Sequence, residues 1–253
     1  MEKQEEKPKD IDRKINTQSE SLSNNWVLLI ITILITSILV VGIFLIISYT
    51  SDIDLNSSDE KYLMTPETFK YISSLGHQTG NVDAEVSILE FSDFMCPYCQ
   101  TYWAGPLRTI NQEFVDTGLA NYSFMHMAIL GDQSIRAALA SECASEHSKF
   151  FPYRDALNQK LHLKRLKLDD ANGEKVNTQL LTEIAVGLEI PEEPFSSCLI
   201  SLKYLEKINE ARELAVSYGV AGTPTILVNG RLLLKPLNTA EFRKMILDEL
   251  NLN

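Results

Sequence analysis

One stretch of the chain, from Trp26 to Tyr49, can fold into little other than a membrane-spanning helix. It contains 24 residues, all uncharged and mostly aliphatic. At about 1.5 Å of rise per residue such a helix is roughly 36 Å long, enough to cross a hydrocarbon core of about 30 Å. The alternative is a cleaved signal peptide, but the run is long for one and no Ala-x-Ala site follows it. We therefore predict one transmembrane helix over residues 26–49.

The charges on either side of this stretch predict its orientation. Five basic residues precede it, whereas only Lys61 and Lys70 follow it closely, among acidic residues. Basic residues near a span stay on the cytoplasmic side. We expect residues 1–25 to be a disordered cytoplasmic tail and residues 50–80 to be a spacer with a short helix. The chain is then a single-pass protein of the cell membrane whose C-terminal domain is extracytoplasmic, where disulfides persist.

Residues 81–253 form the predicted extracytoplasmic domain. Apolar runs at 86–91 and 121–129 predict buried strands, and a hairpin follows near residue 230. Between about residues 132 and 216, apolar residues recur at helical spacing. This order predicts an α/β domain with an all-α insertion. The whole chain has a net charge of −11, which argues against nucleic acid as a partner because phosphate binding needs clustered Lys and Arg.

A pair of cysteines, Cys96 and Cys99, follows directly on the first buried strand, with Pro97 and Tyr98 between them. Two thiols at this spacing and position are typical of thiol–disulfide exchange catalysts. Pro97 suits a first helical turn because its missing N–H would have no partner there. Free N–H groups and the helix dipole then favour a thiolate at Cys96. We predict Cys96 as the nucleophile and Cys99, one turn further in, as the resolving thiol.

Two other roles are open to such a pair. It could be half of a zinc site, or it could be an inert structural disulfide. The remaining two cysteines, Cys143 and Cys198, are far apart and lie outside any Cys-x-x-Cys motif, which disfavours zinc. We expect no metal ligand among the histidines and no cofactor.

Two segments together carry a family resemblance. Residues 88–99 read ILEFSDFMCPYC, and residues 219–230 read GVAGTPTILVNG. From about Asn81 to Leu250 the chain resembles the DsbA-like thiol:disulfide oxidoreductases of the thioredoxin superfamily. The 125 residues from Cys99 to Pro224 leave room for the helical insertion of that branch. The resemblance implies a thioredoxin fold with an all-α insertion, preceded here by one transmembrane helix.

The resemblance also implies roles for individual residues. Thr223–Pro224 would be a cis peptide that faces the cysteine pair and, with Pro97 and Tyr98, contacts the substrate. Glu90 stands where the family often has a buried acid that moves a proton to or from the inner cysteine. A carboxyl group in an apolar strand has a raised pKa, which suits this role. The alternative for Glu90 is an ordinary residue at a strand edge.

Cys143 and Cys198 both fall in the predicted helical insertion. An even number of cysteines in an oxidising compartment favours a structural disulfide between them, and related DsbA-like proteins often bridge these places. Closing a loop of this length could stabilise the fold by up to roughly 4 kcal/mol on the loop-entropy estimate. The alternative is two buried free thiols.

These observations predict a membrane-anchored thiol:disulfide oxidoreductase that introduces disulfides into exported proteins, which reach it reduced or misoxidised. The resemblance implies re-oxidation by a membrane partner of the DsbB or vitamin-K-epoxide-reductase type. Tyr98 leaves the direction of electron flow open, because the best-known strong oxidant of the family has His there. A reductase or isomerase of the same substrates is the nearest alternative, and a redox-inert tethered binding module is the second.

Overall fold

The structure is a computed structural model that describes residues 26–45, 63–166 and 176–251. The predicted cytoplasmic tail, the last residues of the predicted span and most of the spacer lie outside the described residues. The chain divides into two compact units, Met1–Asp59 and Glu60–Asn253.

In the first unit the structure describes one helix, α1, from Trp26 to Leu45. Its hydroxyl groups bond back to the helix: Thr32 Oγ1 donates to the Leu29 carbonyl at 2.9 Å, and Thr36 and Ser37 do the same one turn later. The polar side chains are therefore satisfied within the helix, as a lipid environment requires. By length and composition α1 can cross a membrane.

In the described part of the second unit, five strands form one mixed sheet in the order β1-β3-β2-β4-β5. Their bounds are β1 His77–Gly80, β2 Val86–Ser92, β3 Ala120–His126, β4 Thr225–Val228 and β5 Arg231–Leu232. The central strand β2 runs parallel to β3 and antiparallel to β4, while β1 and β5 pair antiparallel with β3 and β4. The sheet thus begins before the predicted domain boundary at residue 81, because β1 pairs with β3.

The described helices of this unit fall into four groups. Helix α2 is Pro66–Leu75, and the helix after β2 is continuous from Pro97 to Val115. It consists of α3 Pro97–Tyr102, a π-helical turn, α4 Arg108–Ile110 and a second π-helical turn. The insertion between β3 and β4 comprises α5 Asp132–Ser145, α6 Phe150–Leu166, α7 Thr178–Gly187, α8 Glu192–Ile200 and α9 Leu205–Ser217, and the last helix is α10 Thr239–Glu249. The arrangement confirms the predicted α/β domain with an all-α insertion.

The central strand β2 is buried on both faces. Val86 and Ile88 belong to an apolar cluster that includes the helical insertion. Leu89 and Phe91, on the opposite face, belong to a second cluster with residues of α2, β4 and α9. Because side chains alternate along a strand, Glu90 points to the same face as Ile88, towards the insertion.

Two connections hold the insertion together and onto the sheet. Cys143 on α5 is joined to Cys198 on α8 in a disulfide with an S–S distance of 2.04 Å. Next to it, the buried carboxylate of Glu142 contacts His77 Nε2 on β1 at 2.9 Å and His126 Nε2 on β3 at 3.3 Å. Its other oxygen pairs with Lys207 on α9 at 2.7 Å. Burial would raise the pKa of Glu142, but the hydrogen bonds from the two histidines outweigh it and hold the pKa well below its usual range.

We predict that Glu142→Gln lowers the free energy of unfolding by about 3 kcal/mol, because the two histidines and Lys207 lose a charged hydrogen-bond acceptor. Urea denaturation of the full chain in detergent micelles at neutral pH measures this loss. Since folding lowers the pKa of Glu142, its contribution is present above the usual carboxyl pKa of 4.5 and is lost as the pH falls below that value. The difference between the variant and the natural protein should shrink accordingly.

The matched control is Glu146→Gln. Glu146 lies one turn along from Glu142 but pairs with the exposed Lys203 at 3.1 Å. Such a surface ion pair contributes at most about 1 kcal/mol. Equal losses from the two substitutions would contradict the role assigned to Glu142.

Candidate active site

The two cysteines lie where the buried strand β2 gives way to helix α3. Cys96 has an extended backbone and precedes the first helical turn, which Pro97 opens. The Cys96 N–H donates to the Asp93 carbonyl at 3.0 Å, and Cys99 lies one turn into the helix. Both thiols are free and nearly buried, Cys96 being 4% exposed and Cys99 2%. Cys99 is the less exposed of the two, as its position one turn into the helix predicted. Cys96 is nearly buried as well.

Asp93 fixes the turn that carries the cysteines. One oxygen of its buried carboxylate accepts the Met95 N–H at 2.8 Å. The other accepts the N–H groups of Ile129 and Leu130, at 2.9 and 3.1 Å, from the loop after β3. A carboxylate with three N–H donors locks two loops together. No local pattern in the sequence relates Asp93 to this distant loop.

The pKa values of the two thiols are shifted in opposite directions. The pKa of Cys96 is lowered from its usual 9.0 to about 6, and the largest cause is a hydrogen bond from the Cys99 side chain. A hydrogen bond from the Thr223 side chain and the backbone N–H groups of Cys99 and Tyr98 add to this lowering. Burial raises the pKa of Cys99 well above its usual range, and the bond to Cys96 raises it further. One thiol is thus ionised at neutral pH while its neighbour holds its proton.

Thr223 and Pro224 reach this site from the other end of the domain sequence. Their peptide bond is cis, and the Cys96 Sγ lies 3.3 Å from the Thr223 carbonyl oxygen, to which the protonated thiol donates, across a separation of 127 residues. The structure thus brings together the two segments that carry the family resemblance.

A groove of about 790 Å³ opens beside these residues. Tyr98, Thr223 and Pro224 line one part of it, and residues 235–240 line the rest. Tyr98 is 64% exposed, an unusual degree for an aromatic side chain next to a buried thiol pair. Pro97 is exposed but is not among the groove-lining residues. The geometry offers a surface on which an extended chain could lie with one of its sulfur atoms near Cys96.

Glu90 is buried beneath the pair, with 2% of its surface exposed, so it is not a strand-edge residue. It accepts a short hydrogen bond from the Tyr122 hydroxyl on β3, and Arg154 Nη1 on α6 donates to the same hydroxyl at 3.1 Å. Burial raises the pKa of Glu90, although hydrogen bonds from Ser92 and Tyr122 oppose this. Glu90 also interacts electrostatically with Cys99. A protonated acid here is a candidate proton donor to a Cys99 thiolate released from the disulfide.

Sequence reasoning missed Tyr122 and Arg154. A signal for Tyr122 exists in the strand register: Glu90 pairs with Phe124 and Ile88 with Tyr122, so Tyr122 and Glu90 are diagonal neighbours on one face. Nothing in the sequence connects Arg154 to this face, because it comes from a helix whose packing only the folded domain defines.

Among the described residues, one group could hold a metal ion by composition: His77, His126 and Glu142, whose ligand atoms lie within 4.8 Å of one another. Lys207 already balances the charge of this carboxylate. The two remaining cysteines are joined to each other, so neither is a free thiolate that could complete a zinc site with Cys96 and Cys99.

We predict that Cys99→Ala weakens Cys96 as an acid about tenfold, because a hydrogen bond to a charged group is worth about 1.5 kcal/mol or more. Cys99→Ser, which also lacks the second thiol but keeps an O–H donor, should leave the Cys96 pKa near the value of about 6 found with Cys99. Thiolate absorbance measured against pH separates the two variants. Identical titrations would show that the helix terminus, and not Cys99, sets the acidity of Cys96.

The chain has clear relatives of known type. A family model described as Thioredoxin matches residues 73–248. The probable disulfide bond formation protein D of Bacillus cereus is 30% identical over 171 residues, which cover 66% of this chain and 74% of that protein. Disulfide bond formation protein D of Bacillus subtilis is 27% identical over 174 residues, covering 68% of this chain and 75% of that protein.

Solved structures agree with this assignment. BdbD from Bacillus subtilis, in its oxidised form, matches with a TM-score of 0.64 and 26% identity, over 70% of this chain and 94% of that one. α-DsbA1 from Wolbachia pipientis shares the fold with a TM-score of 0.61 and 20% identity, over 70% and 91% of the two chains. The chain therefore belongs to the thioredoxin family, in its DsbA-like branch, and is a protein thiol:disulfide oxidoreductase.

Proposed function

We propose that this oxidoreductase works as an oxidase, introducing disulfides into exported proteins through the Cys96–Cys99 pair. The observation that carries the proposal is the low pKa of Cys96, about 6. A stabilised thiolate favours the reduced form of the pair and is a good leaving group, and both effects make its disulfide a strong oxidant. The names of the two Bacillus relatives, disulfide bond formation protein D, point in the same direction.

The proposed reaction runs in two exchange steps. A substrate thiolate attacks the Cys96 sulfur of the oxidised pair, the Cys96–Cys99 bond breaks, and Cys99 leaves and takes a proton from Glu90. A second substrate thiolate then attacks the substrate sulfur of the mixed disulfide, and Cys96 leaves as a thiolate. The substrate loses two electrons and gains a disulfide, while the protein ends with a Cys96 thiolate and a Cys99 thiol.

The groove beside Cys96 is the proposed substrate site. Thr223 and Pro224 line it, and Tyr98 offers an exposed aromatic face. Backbone pairing with an extended segment recognises a chain largely without regard to its sequence. Such recognition suits an enzyme with many clients, reduced or misoxidised. Pro97, although exposed, is assigned to the substrate site only through its position between the cysteines.

Continued turnover requires re-oxidation. The reduced pair would pass two electrons to a membrane partner of the DsbB or vitamin-K-epoxide-reductase type, and α1 would keep the catalytic domain close to it. We propose that α1 spans the cell membrane once, with the N-terminus in the cytoplasm. The basic residues before α1 and the length and composition of the helix support this arrangement.

We expect the oxidised full-length protein, in detergent micelles, to restore activity to a reduced, unfolded disulfide-containing substrate, and Cys96→Ser to abolish this. The potential of the pair, measured against glutathione, should lie between about −180 and −120 mV, the range of oxidising family members. In cells the pair should be mostly oxidised.

A potential near about −270 mV, as in thioredoxin, together with a mostly reduced pair in cells, would instead support a reductase or isomerase. Full biological activity of Cys96→Ser would support the redox-inert binding module. Each outcome therefore selects one of the three functions.

Orientation has a separate test. In a background in which Cys96 and Cys99 are both replaced by serine, a membrane-impermeant maleimide added to intact cells should label Ser57→Cys and leave Ser19→Cys unlabelled until the cells are permeabilised. Ser19 and Ser57 lie on opposite sides of the apolar run. The reverse labelling pattern would place the catalytic domain in the cytoplasm and would contradict the proposed function.

A further inference from the structure

A continuous hydrogen-bonded chain leads away from Glu90, on the side of the insertion. The Tyr122 hydroxyl donates to Glu90, and Arg154 Nη1 donates to that hydroxyl at 3.1 Å. Arg154 Nη2 and Nε then donate to Asp155 Oδ1 at 2.7 and 2.9 Å. Trp103 Nε1, on the helix that begins with the cysteine pair, donates to the same oxygen at 2.9 Å.

The two ends of this hydrogen-bonded network, Glu90 and Asp155, lie in different environments. Glu90 is 2% exposed, whereas the Asp155 side chain is 49% exposed. Trp103, Arg154 and Asp155 line a pocket of about 370 Å³. The hydrogen-bonded network therefore connects the buried acid of the active site to a polar surface pocket.

The charges of Arg154, Asp155 and Glu90 balance when Asp155 is the anion and Glu90 is neutral. Arg154 is buried and always a cation, so it needs an anion close by. Two carboxyl groups compete for this role, Asp155 directly and Glu90 through Tyr122. Asp155 accepts two of the Arg154 hydrogen bonds, and with that anion in place Glu90 can remain neutral. If Asp155 lost its charge, Glu90 would be the carboxyl group left to balance Arg154.

We infer that Asp155 acts as a positioning residue: by neutralising Arg154 it keeps Glu90 protonated and so able to supply a proton to Cys99. The inference rests on the proposed proton transfer from Glu90. Trp103 supports it by fixing the Asp155 carboxylate. Neither Arg154 nor Asp155 touches the reacting sulfur atoms in this scheme; both act through Glu90.

The groups around Glu90 shift its pKa in both directions. Burial raises its pKa, Arg154 lowers it and Asp155 raises it again. Ser92 and Tyr122 lower it by hydrogen bonding, and an ionised Glu90 would in turn raise the pKa values of Cys99 and Tyr102 on α3. An ionised Glu90 would therefore both lack the proton and oppose the departure of Cys99 as a thiolate.

The reaction of the oxidised protein with glutathione tests the inference. The glutathione thiolate attacks Cys96, the Cys96–Cys99 bond breaks, and Cys99 takes the proton of Glu90, leaving a glutathione–Cys96 disulfide, a Cys99 thiol and an ionised Glu90. After correction for the thiolate fraction of glutathione, the rate should fall with rising pH as Glu90 loses its proton. In Asp155→Asn this fall should occur at lower pH, and at neutral pH the rate should drop about tenfold, within the range that general acid catalysis supplies.

Three comparisons distinguish this effect from a structural one. Asp155→Glu keeps the anion and should restore the natural pH profile. In a Glu90→Gln background, Asp155→Asn should have no further effect on the rate. Glu113→Gln, which removes the carboxylate from another partly exposed ion pair, Glu113–Arg243, should leave the profile unchanged.

Infrared spectroscopy of the oxidised full-length protein reads the same change without catalysis. The carbonyl band of a protonated buried carboxylic acid should be present at neutral pH, absent in Glu90→Gln and weakened in Asp155→Asn. A band that is unchanged in Asp155→Asn, or an equal rate loss with and without Glu90, would overturn the inference. If Asp155→Asn changes the Glu90 band and the rate as expected but the protein does not oxidise reduced substrate, the result would count against the proposed function alone.

Discussion

The burial of β2 on both faces is the constraint on which the rest of the domain depends. One face packs on α2 and α9, and the other packs beneath the helical insertion. A strand buried on both sides cannot leave a polar side chain unpartnered, so Glu90 requires the Tyr122 hydroxyl and, behind it, Arg154. The end of the same strand fixes the turn that presents Cys96. The scaffold and the chemistry therefore depend on one strand.

Three buried charged groups of this domain each have a partner that stabilises the charge. The Cys96 thiolate is stabilised by the Cys99 thiol, the Glu142 carboxylate by two histidines and Lys207, and Arg154 by Asp155. The first of these arrangements tunes the reaction, and the second attaches the helical insertion to the sheet. The third joins both tasks, because the insertion supplies the cation that lies behind the active-site acid. In the proposed scheme the insertion therefore positions the buried acid as well as covering the sheet.

Sequence patterns predicted those strands and helices that depend on residues close together in the sequence. The alternation and apolar character of residues 86–91 indicated the buried strand, Pro97 marked the first helical turn, and the helical periodicity after residue 132 indicated the insertion. Strand β1 was assigned to the spacer because its four residues, HQTG, carry no apolar alternation; its pairing with β3 is what makes it a strand. The closeness of Cys96 to Thr223 came from the family resemblance, since no local pattern relates residues 127 positions apart.

The sequence by itself determined the reactive pair, the apolar segment before the domain and the order of the strands and helices other than β1, because each of these depends on residues within a few turns of one another. The tertiary structure decided the acidity of the two thiols and the surroundings of Glu90. A pKa depends on the distances between groups and on their exclusion from water, and these arise only when β2, β3, α3 and α6 pack together. Cys99 was predicted as a resolving thiol, and only the fold made it the main hydrogen-bond donor to Cys96.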